Sequence, residues 1–352
     1  MLFRKMDHLV GLDIGSSFIK VAEIGTSKKG NILKNFGVAQ VSPGTIVEGR
    51  VADMDGLANT IRTLFKTHKI KEKNVAISTG GHSVVIKTIN TAKVPENELQ
   101  ATIYSEAEQY IPYDIDDVNI DYQILGESDF SPDQMNVLLV AVKKDLVAEY
   151  IDLITLAGLT PKIIDVDTFA LQNIYETLPG GDPEQVILLV DVGASKTSLN
   201  ILKGAISLMM RDNVSGTNQI LDELSDTVGI SIEAAQNMLL GGKASQKEAT
   251  ALAEISRNTA NAWCSEICDV VHTFQSSSNE LKVEKIILSG GGGYVEGLSQ
   301  NLQSELDIEV VAINPFDGLI LDAKKFPASF VAKAGLQAPI ALGLALRRVD
   351  DK

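Results

Sequence analysis

Apolar residues recur along the chain in two patterns, and together these patterns predict an α/β protein. Alternating or continuous apolar residues predict strands over 19–24, 32–41 and 74–79, and a further set within 186–211. Apolar residues three and four positions apart predict a helix after Asp55, which is expected to be its N-cap. The same spacing predicts a long helix over about 246–274 and a closing helix over 334–346, where small residues such as Gly343 would let two helices cross closely.

Three glycine-rich turns follow apolar runs, and they are the most informative part of the chain. Residues 12–17 read LDIGSS, residues 189–197 read LVDVGASKT and residues 287–293 read ILSGGGG. The first two share one pattern, in which a strand ends on an aspartate and a glycine with small hydroxylated residues follows. Each segment alone is ordinary turn sequence, but the ordered set predicts two related halves with a nucleotide between them.

This pattern suits a nucleotide triphosphate with its metal. Glycine lets a phosphate approach the backbone, whose N–H groups then donate to phosphate oxygens together with nearby hydroxyls. Asp13 and Asp191 would repel phosphate, so we expect them to hold Mg²⁺, through water. The residues predicted to bind ATP are Asp13, Gly15, Ser16, Ser17, Lys20, Asp191, Gly193, Ala194, Ser195, Thr197, Gly216, Gly290, Gly291, Gly292 and Gly293.

At these segments the chain resembles the actin/Hsp70/sugar-kinase superfamily, whose phosphate-1, phosphate-2 and adenosine motifs they match. It resembles more closely the PilM family of type IV pilus assembly proteins, within the FtsA-related branch, at residues 11–21, 104–112, 164–171 and 341–347. These phrases run from one end of the chain to the other. The resemblance implies a two-domain actin-like ATPase fold, with duplicated sheet-and-helix halves and an FtsA-type strand-helix-strand-strand inserted subdomain.

The resemblance also implies a division of the chain and a partner. Residues 1–82 would form the first subdomain together with 166–185 and 330–352, residues 83–165 the insertion, and residues 186–329 the second half, with a helical nucleotide lid at about 212–280. By resemblance, the short N-terminal cytoplasmic tail of PilN would bind in the groove between the first subdomain and the insertion, around 84–113. The protein would thereby be an ATP-binding adaptor that links the inner-membrane platform to the pilus motor.

The chain departs from its relatives near the ribose. They usually carry a glutamate and a lysine on one helix, where this chain has Gln236 and Leu239. Hydrolysis would need a residue that orients water, and Asp165 and Asp167 are the candidates. The sequence does not distinguish either from a structural carboxylate, so the catalytic residues stay unassigned and weak or absent ATPase activity is expected.

Composition narrows the function classes. Lys and Arg number 31 against 46 Asp and Glu, a net charge of −15 that disfavours nucleic acid and anionic lipid. With no apolar run of about 20 residues, no signal peptide and no amphipathic tail, we expect a cytoplasmic protein that is peripheral to the inner membrane through its partners. Cys264 and Cys268 are too few for a disulfide framework and are expected to be reduced.

Two other functions remain open at this point. A small-molecule kinase of the same superfamily would need a catalytic aspartate and a polar cavity, for which only the 40–55 loop, with Glu48, Arg50 and Asp53, offers a place. A filament-forming membrane-tether ATPase of FtsA type is the other, and self-association is left open.

Overall fold

The computed structural model describes residues 8–81, 83–128, 131–278 and 281–349. It divides into two compact units, one formed by the chain up to Thr79 and from Leu153 onward, the other by Gly80–Asp152. The boundaries predicted for the subdomains stay a prediction.

In chain order the elements are β1 (Val10–Ile14), β2 (Phe18–Ser27), β3 (Gly30–Gln40), β4 (Ile46–Val47), β5 (Arg50–Val51), α1 (Met54–Thr67), β6 (Asn74–Thr79), β7 (Val84–Ala92), α2 (Glu96–Ala107), β8 (Val118–Glu127), β9 (Gln134–Lys143), α3 (Lys144–Leu156), β10 (Thr160–Val166), α4 (Asp167–Tyr175), β11 (Val186–Val192), β12 (Thr197–Lys203), β13 (Ile206–Asn213), α5 (Asn218–Val228), α6 (Ile232–Leu239), α7 (Gln246–Ser277), β14 (Lys285–Ser289), α8 (Leu298–Leu306), β15 (Glu309–Ala312), α9 (Ala328–Ala334) and α10 (Pro339–Leu346).

The larger unit contains two five-stranded sheets with the same topology. The first has the order β10-β6-β1-β2-β3 and the second β15-β14-β11-β12-β13. In each, three strands form an antiparallel meander and two further strands run parallel to its first strand. The equivalence of β1 with β11 confirms that the two Asp-x-Gly segments lie at the same place in duplicated halves.

Two helices cross closely beside the first sheet, because glycines remove the side chains at the crossing. A Cβ on Gly343 of α10 would lie 1.7 Å from the carbonyl oxygen of Ala170 in α4, and one on Gly11 of β1 would lie 2.0 Å from the carbonyl oxygen of Ala341. Ala338, Ala341 and Leu342 are buried in the same core as Leu189 of the second sheet. The predicted close crossing at Gly343 is therefore confirmed.

The closing helix is not continuous over 334–346, and this prediction was wrong. Helix α9 ends at Ala334, a 3₁₀ turn follows at Gly335–Gln337, and α10 begins at Pro339. Proline at the first position of a helix forms no hydrogen bond to the preceding turn, so it marks a new start. The break leaves the Leu336 carbonyl free to accept a hydrogen bond from the Gly290 N–H at 2.7 Å.

The N-cap of α1 also differs from the prediction. The helix begins two residues earlier than expected, and the Asp53 side chain accepts a hydrogen bond from the Gly56 N–H at 2.9 Å. Asp55 lies instead in the first turn, where its charge complements the helix dipole. The predicted apolar face is confirmed, with Leu57 and Ile61 both buried.

The smaller unit is a three-stranded antiparallel sheet with one helix on it. Its chain order, β7-α2-β8-β9, is the strand-helix-strand-strand order implied by the resemblance, and its spatial order is β7-β9-β8. Leu99 and Ile103 of α2 pack on Val137 and Leu139 of the central strand. Strand β7 is an edge strand of this sheet, and Val84, Val85 and Ile86 are each half-buried.

Candidate nucleotide site

The two Asp-x-Gly hairpins have the same local structure and face each other. In the first, the Gly15 N–H donates to the Phe18 carbonyl at 3.1 Å; in the second, the Gly193 N–H donates to the Lys196 carbonyl at 2.9 Å. The hydroxyl of Ser16 donates to that of Ser195 at 3.1 Å, so the tips of the two turns touch. The structure therefore brings together residues that are 179 positions apart in the chain.

One aspartate lies near the end of the first strand in each half, Asp13 buried and Asp191 half-buried. Asp13 pairs with Lys20, which lies opposite it in the β1–β2 ladder, at 3.0 Å between Oδ2 and Nζ. Asp191 accepts a hydrogen bond from the Ser289 hydroxyl at 2.7 Å. Burial raises the pKa of Asp13, although Lys20 opposes the shift. Burial, with help from the charges of Asp13 and Asp167, raises the pKa of Asp191 to about 6.

These carboxylates fit a hydrated magnesium ion. The negative charge of Asp167 raises the pKa of both Asp13 and Asp191, and the charge of Asp13 also raises the pKa of Asp191. A divalent cation bound by Asp13 and Asp191 would relieve this unfavourable charge. Among the described residues no three His, Cys, Asp or Glu side chains are grouped as a complete metal site. Magnesium bound mainly by water and substrate phosphates needs no such group.

The third glycine-rich turn packs directly on the second hairpin. Gly290 has a φ of +82°, and a Cβ there would lie 2.3 Å from the Val192 carbonyl oxygen. A Cβ on Gly292 would lie 2.2 Å from Val192 Cγ1. Gly216, just before α5, is equally restricted, with its hypothetical Cβ 2.5 Å from the Ala194 carbonyl oxygen. These glycines leave bare backbone around the hairpin, which is the surface that a nucleotide needs.

The remaining residues predicted to bind ATP lie on the same three turns, and several of them contact other parts of the protein. The Thr197 hydroxyl is buried and donates to the Ser215 carbonyl at 2.8 Å, so it holds the loop before α5. The Ser17 carbonyl accepts from the Val41 N–H at 2.8 Å. Around the third turn, a Cβ on Gly291 would have its nearest neighbour at 3.7 Å, whereas one on Gly293 would lie 3.0 Å from Leu336 Cδ1.

Lys196 is a member of the site that sequence reasoning missed. Its Nζ lies 2.6 Å from Asp167 Oδ2 and 3.6 Å from Asp212 Oδ2. The signal was present in the sequence, because Lys196 lies in the second Asp-x-Gly turn between Ser195 and Thr197. A lysine on a turn is usually solvated, however, and only the fold brings Asp167 to it.

Both candidates for orienting water are already engaged. Asp167 accepts from the Ser78 hydroxyl through Oδ1 and pairs with Lys196 through Oδ2. Asp165 accepts from its neighbour's backbone N–H at 2.7 Å and from Arg347 at 2.8 Å. Neither carboxylate has an oxygen without a partner in this structure.

Other sequence expectations also have structural answers. Gln236 is buried, and its side-chain oxygen accepts from the Gln40 Nε2 at 2.7 Å, which joins α6 to the end of β3. Asp53, offered as a kinase residue, caps α1. The Cys264 and Cys268 thiols are free and buried with their Sγ atoms 4.0 Å apart. No single helix of the described residues is long and apolar enough to cross a membrane. One pair of helical segments, Ala328–Gln337 and Pro339–Leu346, is long and apolar enough when counted together, but the two are bent by 85° to each other.

Comparison with known proteins identifies the family. The model of the type IV pilus assembly protein PilM family matches residues 11–349. The chain is similar to a solved PilM-PilN type IV pilus biogenesis complex, with a TM-score of 0.86 and 26% identity over 98% of this chain and 99% of that one. It is also similar in fold to the ethanolamine utilization protein EutJ from Carboxydothermus hydrogenoformans, with a TM-score of 0.56 and 14% identity over 96% and 89% of the two chains. The chain thus has an actin-like ATPase fold and belongs to the PilM family of type IV pilus assembly proteins.

Proposed function

We propose that this protein is an ATP-binding structural adaptor of the type IV pilus inner-membrane platform, and that it binds the cytoplasmic tail of PilN. The observation that carries the nucleotide part is the contact between the Ser16 and Ser195 hydroxyls, which brings the two Asp-x-Gly turns face to face. Family membership and the likeness to a PilM-PilN complex support the adaptor part. Linkage to the pilus motor and a cytoplasmic position at the inner membrane belong to the same proposal.

The chain's own residues would divide the work of holding Mg-ATP. Backbone N–H groups and hydroxyls of the two hairpins would bind the phosphates, with Lys20 as an added positive charge. Asp13 and Asp191 would hold Mg²⁺ through its water shell, and the ion would supply neutralisation of the phosphate charge. The turns at Gly216 and Gly290, which pack closely on the second hairpin because neither glycine has a side chain, would accept the nucleoside.

The PilN tail is proposed to bind the smaller unit along β7 and α2, within 84–113. An edge strand presents backbone groups that an extended peptide can pair with, and the half-buried Val84, Val85 and Ile86 offer apolar contacts beside them. Tyr104 and Tyr110 are each exposed by more than a third, which is unusual for large aromatic side chains and suits a binding surface.

The peptide can be tested by titration with a matched control. Ile86→Asp places a charge on β7, whereas Ile124→Asp places the same charge on β8, at the opposite edge of the same sheet. We expect a synthetic PilN tail peptide to bind the wild type and the β8 variant alike, and to lose at least about tenfold in affinity for the β7 variant, because a buried contact is replaced by a charge. Equal binding by both variants would show that the peptide does not bind along β7. Absence of binding to the wild type would refute the adaptor proposal.

A further inference from the structure

The Lys196–Asp167 ion pair joins the two halves at the phosphate turns. Lys196 lies in the β11–β12 turn of the second sheet, whereas Asp167 follows β10 of the first sheet and begins α4. Their charged atoms are 2.6 Å apart, and both side chains are mostly buried, at 25% and 16% exposure. A charge-assisted contact this short and sheltered is stronger than a surface ion pair.

Asp167 is close to the acids expected to bind magnesium. Its charge raises the pKa of Asp13 and of Asp191, and Lys196 opposes that effect at Asp13. A carboxylate in this position lies at the phosphate end of the proposed nucleotide site. It is therefore placed to orient a water molecule toward the terminal phosphate, provided that one of its oxygens is available.

We propose that Lys196 is a positioning residue that holds the Asp167 carboxylate away from water, so that the site retains ATP and does not hydrolyse it. This inference rests on the proposed nucleotide function. The Ser78 hydroxyl donates a hydrogen bond to one oxygen of Asp167 and Lys196 pairs with the other, so both oxygens are engaged by protein side chains. The other candidate, Asp165, cannot substitute, because Arg347 and a backbone N–H engage it.

Removal of the lysine charge would release the carboxylate. In that variant the oxygen of one water molecule bonds to the terminal phosphorus and the bond from that phosphorus to the β-phosphate bridging oxygen breaks. The water's proton passes to the freed oxygen of Asp167, and ADP and inorganic phosphate leave. No oxidant or further reactant is needed.

Phosphate release at saturating Mg-ATP tests this directly. We expect Lys196→Met to turn over ATP at least about tenfold faster than the wild type, since a positioned base contributes two or more orders of magnitude. Lys196→Arg, which keeps the ion pair, should remain as slow as the wild type, and Lys196→Met combined with Asp167→Asn should return to the slow rate. Lys203→Met, which removes a more exposed ion pair with Glu184 at the far end of β12, should have no effect.

Two measurements without turnover separate this role from a structural one. A non-hydrolysable ATP analogue should bind Lys196→Met within about threefold of the wild-type affinity, because the proposed phosphate ligands are unchanged. In the absence of nucleotide, Lys196→Met should lower the thermal unfolding midpoint, and adding Asp167→Asn should restore part of the loss, because the unpaired carboxylate is removed. Should Lys196→Met fail to fold, Lys196→Gln, which removes the charge and keeps a donor, should show a smaller rise in turnover.

The outcomes distinguish the two proposals. Turnover that is unchanged or lower in a folded Lys196 variant that still binds ATP would overturn the role of Lys196 and leave the nucleotide site intact. If the wild type binds no ATP, the proposed function fails, and the inference that rests on it fails with it. A rise in turnover that persists when Asp167 is also replaced would likewise overturn the inference.

Discussion

Replacing Asp191 by asparagine should stabilise the nucleotide-free protein while removing its affinity for Mg-ATP. Asparagine has nearly the same shape, and its side-chain oxygen can still accept the Ser289 hydroxyl that Asp191 accepts at 2.7 Å. The substitution therefore removes the charge and keeps the hydrogen bond. Any change in stability then reports the cost of burying that charge.

The magnitude follows from the raised pKa of Asp191. A folded-state pKa of about 6 against the ordinary 3.8 means that the folded protein binds a proton more tightly than the unfolded chain does. Stability therefore falls as pH rises from about 4 to about 6, and the full penalty is present above pH 6. The difference is worth about 3 kcal/mol for a fully buried group. Because Asp191 is partly exposed to water, we expect about 1 to 2 kcal/mol.

Urea unfolding at constant ionic strength measures this effect. At pH 7.5 without nucleotide, Asp191→Asn should be about 1 to 2 kcal/mol more stable than the wild type, and the advantage should shrink by about half at pH 5, where the wild-type carboxyl is largely protonated when folded. Asp222→Asn, on the exposed face of α5, serves as a control and should change stability by less than about 0.5 kcal/mol at both pH values. An Asp191→Asn protein that is no more stable than the wild type at pH 7.5, or whose advantage grows at pH 5, would refute the reasoning.

Two further predictions concern glycines that a methyl group would disturb. Gly290→Ala should weaken Mg-ATP binding by at least about tenfold in calorimetric titration. Its Cβ would lie 2.3 Å from the Val192 carbonyl oxygen at a φ of +82°. The control Gly297→Ala is also strained, at a φ of +95°, but its Cβ would have no atom within 3.4 Å, so this variant should bind Mg-ATP as the wild type does. Gly343→Ala should lower the free energy of unfolding by about 3 kcal/mol or more, because the Cβ would be 1.7 Å from the Ala170 carbonyl oxygen, and a urea midpoint equal to that of the wild type would contradict the close crossing.

Much of the fold could be predicted because local patterns repeat. The Asp-x-Gly turns at Asp13 and Asp191 follow apolar strands, and those strands pair in the two sheets as duplicated meanders. Ser231 and Ser245 cap α6 and α7 through their side chains, so the starts of these helices are encoded locally. The fold class follows from such signals, which depend on neighbouring residues.

The misassigned and missed features depend on distant contacts. The break before α10 exposes the Leu336 carbonyl to Gly290, a requirement that nothing near residue 336 indicates. The N-cap of α1 is Asp53 and not Asp55, because the helix starts two residues earlier than the apolar spacing predicts. Lys196 acquires its place in the site only when Asp167, 29 positions earlier, is brought to the second half. The spacing of these two residues in the sequence does not predict their contact.

The central claim is that Mg-ATP lies between the turns at Gly15–Lys20 and Gly193–Thr197. A crystal structure grown with Mg²⁺ and a non-hydrolysable ATP analogue tests it most directly. We predict a triphosphate between the two turns, the Ser16 and Ser195 hydroxyls separated beyond their present 3.1 Å, and a hydrated magnesium ion beside Asp13 and Asp191. A structure at saturating analogue in which the two hydroxyls still touch and the analogue lies elsewhere, or is not bound, would contradict the account.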